Sequence, residues 1–302
     1  MAVYFNNSFV PESDQGSLPV EEAYFMEKNA VRIAPDDRGF TFGDGIYEVL
    51  KAYSGNIFAE QMHLSRLANS LAAIRLPDFD TTSLVPIMQS LLERNNLEQL
   101  DAKIYIQITR GVAPRDHAFP KIGVPLTVFI SAGLVMRKSS LIESGVKAIL
   151  TDDIRWSRCD IKQIGLLAGV LANQEAKEAD AYEALFVRNG FITEGTHTNF
   201  CALIDGKLHT HPANNYILPG VTRAVVIAIC NELNIPVIEE PIAAADLQQT
   251  ISDGADVECM VLGTITEIMP IIQIDDLPIG NRQPGELTRK IISNFQKITT
   301  NL

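Results

Sequence analysis

The chain has 302 residues, 46% of them hydrophobic and 21% charged, and carries a net charge of −12. This balance excludes intrinsic disorder. It also excludes nucleic acid or an anionic membrane as the main partner, because both demand a cationic face. A chain this long exceeds what one core usually serves, so two lobes flanking a ligand cleft are expected.

The N-terminus, Met1-Ala2-Val3-Tyr4-Phe5-Asn6, lacks a basic region followed by an apolar run, and no segment reaches membrane-spanning length. A cytoplasmic location is expected. Cys159, Cys201, Cys230 and Cys259 have no C-x-x-C spacing and read as reduced thiols. Cys159, between Arg158 and Asp160, is the candidate for a more reactive one, with simple core packing the plainer reading.

In chain order, Asp36 to Gly45 reads as a glycine-punctuated loop. Ile46 to Tyr53 alternates as a strand, His63 to Leu76 and Leu84 to Arg94 repeat as helices, and Lys103 to Thr109 and Thr127 to Ser131 are strands. Strands returning after a helical pair give an α+β lobe of residues 1–136. The remaining residues, 137–302, form a second lobe. It opens with a strand at Val146 to Thr151 and a polar stretch to Gln163, followed by a helix with Leu167, Val170, Leu171 and Gln174 in repeat. Strands at Glu183 to Asn189 and Phe191 to Gly195 precede a hairpin from Asn199 to His209, turning at Asp205-Gly206. A helix from Thr222 to Leu233, a strand from Val257 to Leu262 and a closing amphipathic helix from Glu286 to Ile298 complete it.

Several residues suggest chemistry. Lys162, near Arg155 and Arg158 in sequence, would lose some preference for its ammonium form beside such positive charge, which suits imine formation. By itself it reads first as a surface lysine. Val221-Thr222 opens a helix and Gly263-Thr264 ends a strand, and both offer backbone N–H groups to a phosphate. Glu194 ends an apolar strand and needs a cationic partner, met equally by a protonated pyridine nitrogen or by an arginine. Arg115 and His117 lie on a loop between strands, suited to a carboxylate unless Asp116 neutralises them. The His209-Thr210-His211 pair lacks a completing ligand, so no metal is expected. The Gly39-x-x-x-Gly43-x-Gly45 spacing does not match a dinucleotide fingerprint.

The stretches Asp37-Arg38-Gly39-Phe40-Thr41-Phe42-Gly43-Asp44-Gly45-Ile46-Tyr47-Glu48-Val49, Ile154-Arg155-Trp156-Ser157-Arg158-Cys159-Asp160-Ile161-Lys162, Thr193-Glu194-Gly195 and Thr210-His211-Pro212-Ala213-Asn214-Asn215 occur in this order. Together they resemble the fold-type IV enzymes of pyridoxal 5'-phosphate (PLP), the class IV aminotransferases, and within them most closely the bacterial D-amino acid aminotransferases. The resemblance implies a two-lobed α/β fold with a smaller N-terminal lobe, a larger C-terminal lobe containing a barrel-like sheet, and a homodimer. It implies that Lys162 carries PLP as a Schiff base, Glu194 pairs with the pyridine nitrogen and Leu218 lies beneath the ring. Arg66, Val221, Thr222 and the Gly263-Thr264 turn would surround the phosphate. Tyr47, Arg115 and His117 would trap the substrate α-carboxylate, the latter two from the partner subunit.

The implied reaction is ping-pong transamination through the Lys162 aldimine, D-alanine and 2-oxoglutarate giving pyruvate and D-glutamate. Aminodeoxychorismate lyase, branched-chain L-amino acid aminotransferase and a non-catalytic PLP-binding dimer are the alternatives. Two features depart from the family pattern. Residues Ser17 to Ile33 look inserted, either covering the cleft or extending the dimer contact. Thr196-His197-Thr198 stands where serines are common.

Overall fold

The computed structural model describes residues 1–11 and 13–302. They form two compact units. Residues 1–136 join 161–165 and Leu302 in the first, and residues 137–160 join 166–301 in the second. A single cut after residue 136 therefore misplaces one strip: Ile161–Gly165, with Lys162 in it, packs with the N-terminal residues.

The first unit is built on an antiparallel sheet of β1 (Ala2–Phe9), β2 (Phe25–Glu27), β3 (Gly45–Tyr53), β4 (Asn56–Ile57), β5 (Ala102–Thr109) and β6 (Leu126–Leu134), in the order β2-β1-β6-β5-β3-β4. Alternation puts Ile46 and Leu50 of β3, Ile104, Ile106 and Ile108 of β5, and Val128 and Ile130 of β6 on one fully buried face. Register keeps these apolar sets opposite one another, with Ile46 facing Ile108 and Leu50 facing Ile104. Against this face lie α2 (Glu60–Ala73), through Leu64, Leu67 and Leu71, and α3 (Leu84–Arg94), through Leu84, Ile87, Met88 and Leu91. The helical repeats seen in the sequence are the stripes that bury.

Two segments differ from the sequence reading. Within the expected loop 36–45, Arg38–Phe42 winds into a short helix, α1, whose N-cap Asp37 accepts from the Gly39 amide at 2.8 Å. Gly43, at φ 67°, closes it in the left-handed conformation that favours glycine. A helix of five residues is too short for periodicity to reveal. The Ser17 to Ile33 insert supplies β2, an edge strand on β1 that pairs Tyr4 with Phe25. Tyr24 and Phe25 pack on the Tyr4 ring, while Arg94 lies over Phe25 and pairs with Glu22. The insert is thus fastened to the sheet of its own unit.

The second unit contains β7 (Val146–Asp152), β8 (Glu183–Arg188), β9 (Phe191–Gly195), β10 (Asn199–Ile204), β11 (Lys207–Thr210), β12 (Val237–Glu239), β13 (Ile242–Ala243), β14 (Val257–Gly263), β15 (Glu267–Ile274) and β16 (Leu277–Pro278). The strands β10-β14-β15-β7-β8-β9 form a ring because β9 pairs back to β10, Glu194 opposite Asn199. Closure leaves those strands without an open edge. Asp205 and Gly206, at φ 48° and 75°, make the tight turn between β10 and β11. The helices are α4 (Ser139–Ser144), α5 (Leu167–Glu178), α6 (Val221–Glu232), α7 (Ala244–Ser252) and α8 (Glu286–Thr300). On α5 the expected face is reversed. Small Ala172 and Ala176 pack on Ala184 and Phe186, allowing close approach to the sheet, whereas Leu167, Val170 and Leu171 are 70%, 59% and 50% exposed.

The β5 core residue Ile104 tests the first unit. Ile104→Ala is expected to lower unfolding free energy by about 2–5 kcal/mol, read as a shift in the urea midpoint with unchanged slope.

Candidate active site

Lys162 enters the first unit through backbone pairing. Ile46 and Gln163 form an antiparallel bridge, the Tyr47 amide donates to the Lys162 carbonyl at 2.9 Å, and the Ile164 amide donates to Gly45 at 3.1 Å. Gly45 permits this approach: a Cβ there would lie 2.6 Å from the Ile108 carbonyl and 3.0 Å from Ile164. The pairing sets the Lys162 ammonium over the Tyr47 ring, 4.4 Å from its centroid. Tyr47 itself stacks with Tyr105 at 5.8 Å.

The arginines near Lys162 in sequence act elsewhere. Arg158 pairs with Asp160, and Arg155 with Asp153 and Glu194. Adjacency along the chain was a misleading guide, because both guanidiniums are neutralised locally. The charge close to Lys162 is instead Glu48, one residue beyond Tyr47 and fully buried.

Glu48 holds a cluster of its own. Arg66 of α2 donates through Nε and Nη2 to its two oxygens, at 2.9 and 2.5 Å. His63, one turn earlier, meets Oε1 through Nδ1 at 3.1 Å. An ionised carboxylate only accepts, so His63 Nδ1 carries the proton. Burial would raise the Glu48 carboxyl, but Arg66, His63 and Lys162 overcome this and hold it far below the usual carboxylate range. Burial keeps the His63 imidazole below its ordinary value despite Glu48. Arg66, the expected phosphate ligand, is therefore oriented by a carboxylate that sequence reasoning did not single out. The signal was present: Glu48 is a charge on the otherwise apolar face of an alternating strand.

Arg115 and His117 also lie in the first unit, exposed on the loop after β5. They converge on Phe42 of α1, with the Arg115 guanidinium 5.1 Å and the His117 ring 5.4 Å from its centroid. Asp116 does not neutralise them. Its carboxylate turns back to the Ala118 amide at 3.2 Å.

In the second unit the centre is Asn199. Its amide donates to Glu194 Oε2 at 3.1 Å and to the Leu218 carbonyl at 2.9 Å. The Leu218 amide donates to the same Glu194 oxygen at 3.0 Å, while Arg155 takes Oε1 at 2.5 Å. Of the two partners the sequence allowed for Glu194, the structure shows the arginine; a carboxylate has acceptor capacity for further donors. Just beyond Leu218, Gly220 leaves room for Asn199, whose Oδ1 would lie 1.9 Å from a Cβ. That close fit starts α6, where no side chain caps the first turn before buried Val221 and Thr222. On the other flank Asn199 pairs with Leu262, and β14 then ends at Gly263 before the Thr264 turn. Glu194, Leu218, Val221, Thr222, Gly263 and Thr264 therefore all belong to one unit and border a shared set of strand ends.

Cys159 is not the reactive thiol its neighbours suggested. It is buried, and burial pushes its thiol up to about 11. Among the described residues, no three His, Cys, Asp or Glu side chains are grouped to hold a metal.

One unit is an antiparallel sheet backed by helices, with a lysine paired to it through the backbone. The other carries a closed sheet, a buried carboxylate and a helix start that no side chain caps. The family Amino-transferase class IV matches residues 45–274. A D-alanine aminotransferase of Staphylococcus haemolyticus is 38% identical over 274 residues, 90% of this chain and 94% of the relative. The branched-chain amino acid aminotransferase of Escherichia coli has the same fold, with a TM-score of 0.84 at 24% identity, over 98% of this chain and 94% of that one. The branched-chain aminotransferase of the archaeon Thermoproteus uzoniensis, solved with norvaline, gives 0.81 at 24% over 99% and 94%. The chain belongs to the class IV aminotransferases, a fold in which a branched-chain enzyme has also been solved with pyridoxamine 5'-phosphate.

The Glu48 cluster has a consequence for acid stability. A carboxyl held low in the folded state contributes stability above its ordinary value of about 4.3 and loses it as pH falls below that value. Glu48→Gln also takes the carboxylate charge away from the buried Arg66, a cost of about 3–5 kcal/mol. Urea unfolding from neutral pH to about 3 is expected to show a less stable variant with a flatter acid limb.

Proposed function

We propose that the chain transaminates D-amino acids with PLP, converting D-alanine and 2-oxoglutarate into pyruvate and D-glutamate. The observation that carries this reading is the 38% identity to a D-alanine aminotransferase over 90% of this chain, supported by the Lys162 ammonium held over Tyr47 in the first unit. Likeness to the branched-chain enzymes, at 24% identity, extends to fold alone.

The second unit fits PLP. Glu194, held by Arg155, Asn199 and the Leu218 amide, would pair with the ring nitrogen, and Leu218 would supply an apolar contact to the ring. The uncapped start of α6 at Val221 and Thr222 would take the phosphate, with Gly263 and Thr264. When bound, PLP supplies a sink for the electrons left behind as the α-proton departs. Lys162 Nζ would be the amine that holds the cofactor covalently. With a substrate amine in the site, Lys162 Nζ would take up the α-proton and return it. Tyr47 and the partner subunit's Arg115 and His117 fix the substrate carboxylate, so one face of the α-carbon meets the lysine.

A homodimer accords with the exposed apolar residues Leu167, Val170 and Leu171 of α5, with Ile154 and Trp156 of the same unit also exposed. The four cysteines are free and buried, as in a reducing cytoplasm, and among the described residues no helix is long and apolar enough to cross a membrane.

Adding D-alanine to the PLP-loaded protein is expected to convert its absorption to that of the pyridoxamine form, with pyruvate released in equal amount, whereas L-leucine leaves it unchanged. A response to L-leucine alone would overturn the handedness. Lys162→Ala is expected to lose turnover by at least about a thousandfold, the range for a lost general base that is also the bonding amine. Full turnover in that variant would remove Lys162 from the chemistry.

A further inference from the structure

The carboxylate-binding loop is held by a buried framework that neither Arg115 nor His117 belongs to. Arg38, the first residue of α1, has three attachments. Its Nε donates to Asp44 Oδ2 at 2.8 Å, its Nη1 donates to the Asp116 carbonyl at 2.6 Å, and its guanidinium lies over the Phe42 ring at 4.7 Å. The second attachment grips the loop between Arg115 and His117. Arg110, where the loop begins, donates through Nε to the same Asp44 oxygen at 2.8 Å and is anchored by the carbonyls of Ile74 and Arg75 at 2.6 and 3.0 Å. Burial would raise the Asp44 carboxyl, but Arg110 and Arg38 hold it below its ordinary value. Two guanidiniums therefore share one carboxylate at the root of the loop.

Backbone pairing repeats the connection. The Arg38 amide donates to Gly111, the Arg110 amide to Asp44, and Asp37 bridges to Val112. What this framework presents is the Phe42 ring, half-buried, with Arg38, Arg115 and His117 all within reach of it. Arg115 forms no ion pair among the described residues, so the aromatic ring is the contact that limits where its guanidinium points.

We propose that Phe42 and Arg38 are positioning residues for substrate recognition: Phe42 is the plate against which Arg115 and His117 are aligned, and Arg38 ties that plate to the loop backbone at Asp116. The inference rests on the assignment of Arg115 and His117 to the substrate carboxylate. A cation held against an aromatic face loses side-chain freedom before the carboxylate arrives, which raises affinity without touching the proton transfer. Because the alignment serves any α-carboxylate, it governs the amino acid and the 2-oxo acid equally. It therefore acts on substrate affinity and leaves side-chain preference alone.

The test uses the PLP-loaded full-length protein with Phe42→Leu, which keeps apolar volume and removes the ring. KM for both D-alanine and 2-oxoglutarate is expected to rise about five- to tenfold, with kcat within about twofold, the pattern of lost uniform binding. The calorimetric affinity for propionate, a carboxylate without an amine, is expected to fall by the same factor, and Phe42→Tyr to restore both. Unchanged KM in Phe42→Leu, with KM raised in Arg115→Ala, overturns the role of Phe42 while leaving the carboxylate assignment intact. Unchanged KM in both Arg115→Ala and His117→Ala overturns that assignment and the inference with it. If Phe42→Leu fails to fold, Arg38→Lys replaces it, keeping the charge but losing the two-armed reach. A fall in kcat with unchanged KM and propionate affinity in that variant counts against the proposal.

Discussion

The backbone pairing between residues 161–165 and β3 is the constraint on which the catalytic arrangement depends. Lysines are long, flexible and strongly hydrated, so a lysine placed only by its side chain would spend most of its time in water. Here the main chain on either side of Lys162 is fixed by the bridge at Gln163 and by the bonds to Gly45 and Tyr47. The ammonium then has the Tyr47 ring at 4.4 Å as its nearest aromatic face. The same pairing draws a short strip out of the sequence of the second unit and into the contacts of the first. For the role proposed for Lys162, a rigid base and a mobile tip are what an amine would need. Edge pairing by the main chain supplies both.

Buried charge is arranged on a common plan in both units. Each has a buried carboxylate that accepts from nitrogen donors: Glu48 from Arg66 and His63, Glu194 from Arg155, Asn199 and the Leu218 amide. An isolated buried carboxylate would protonate. Donors of this kind favour the ionised form, and an ionised carboxylate is what orients a guanidinium or holds a proton on a ring nitrogen. Such pairs contribute little net stability compared with apolar packing, yet losing one partner is expensive. Their value lies in fixing the direction of polar groups that must face a ligand.

Much of this was legible in the sequence and some was not, for separable reasons. The strand at Ile46 to Tyr53, the helices at 63–76 and 84–94 and the hairpin at Asp205-Gly206 were readable because their periodicity or turn chemistry is local. Helix α1 escaped because Asp37 and Gly43 enclose too few residues for a repeat. The face of α5 was misjudged because apolar spacing shows that a stripe exists without showing what covers it. Ala172 and Ala176 took the sheet, leaving Leu167, Val170 and Leu171 outward. The positive field assigned to Lys162 failed because Arg155 and Arg158 find acids two residues away, a pairing that depends on the bend of the chain. Lys162 and Glu194 stand out through the ordered motifs around them. The partnership of Glu48 with Arg66 was available from one anomaly, a charge where the strand should be apolar.

Handedness of the substrate is not a property of the fold, since aminotransferases of branched-chain amino acids share it. Inverting a chiral centre exchanges the direction of the carboxylate relative to the amine and the α-proton. An enzyme with a fixed lysine therefore chooses its enantiomer by where it puts the carboxylate clamp. In this chain Arg115 and His117 stand on a loop stitched to α1, while Lys162 is stitched to β3. The two attachments use different residues: Arg38, Asp44 and Arg110 for the loop, Gly45 to Tyr47 for the lysine. Separate supports would allow a carboxylate clamp on this loop to be relocated without disturbing a base at Lys162.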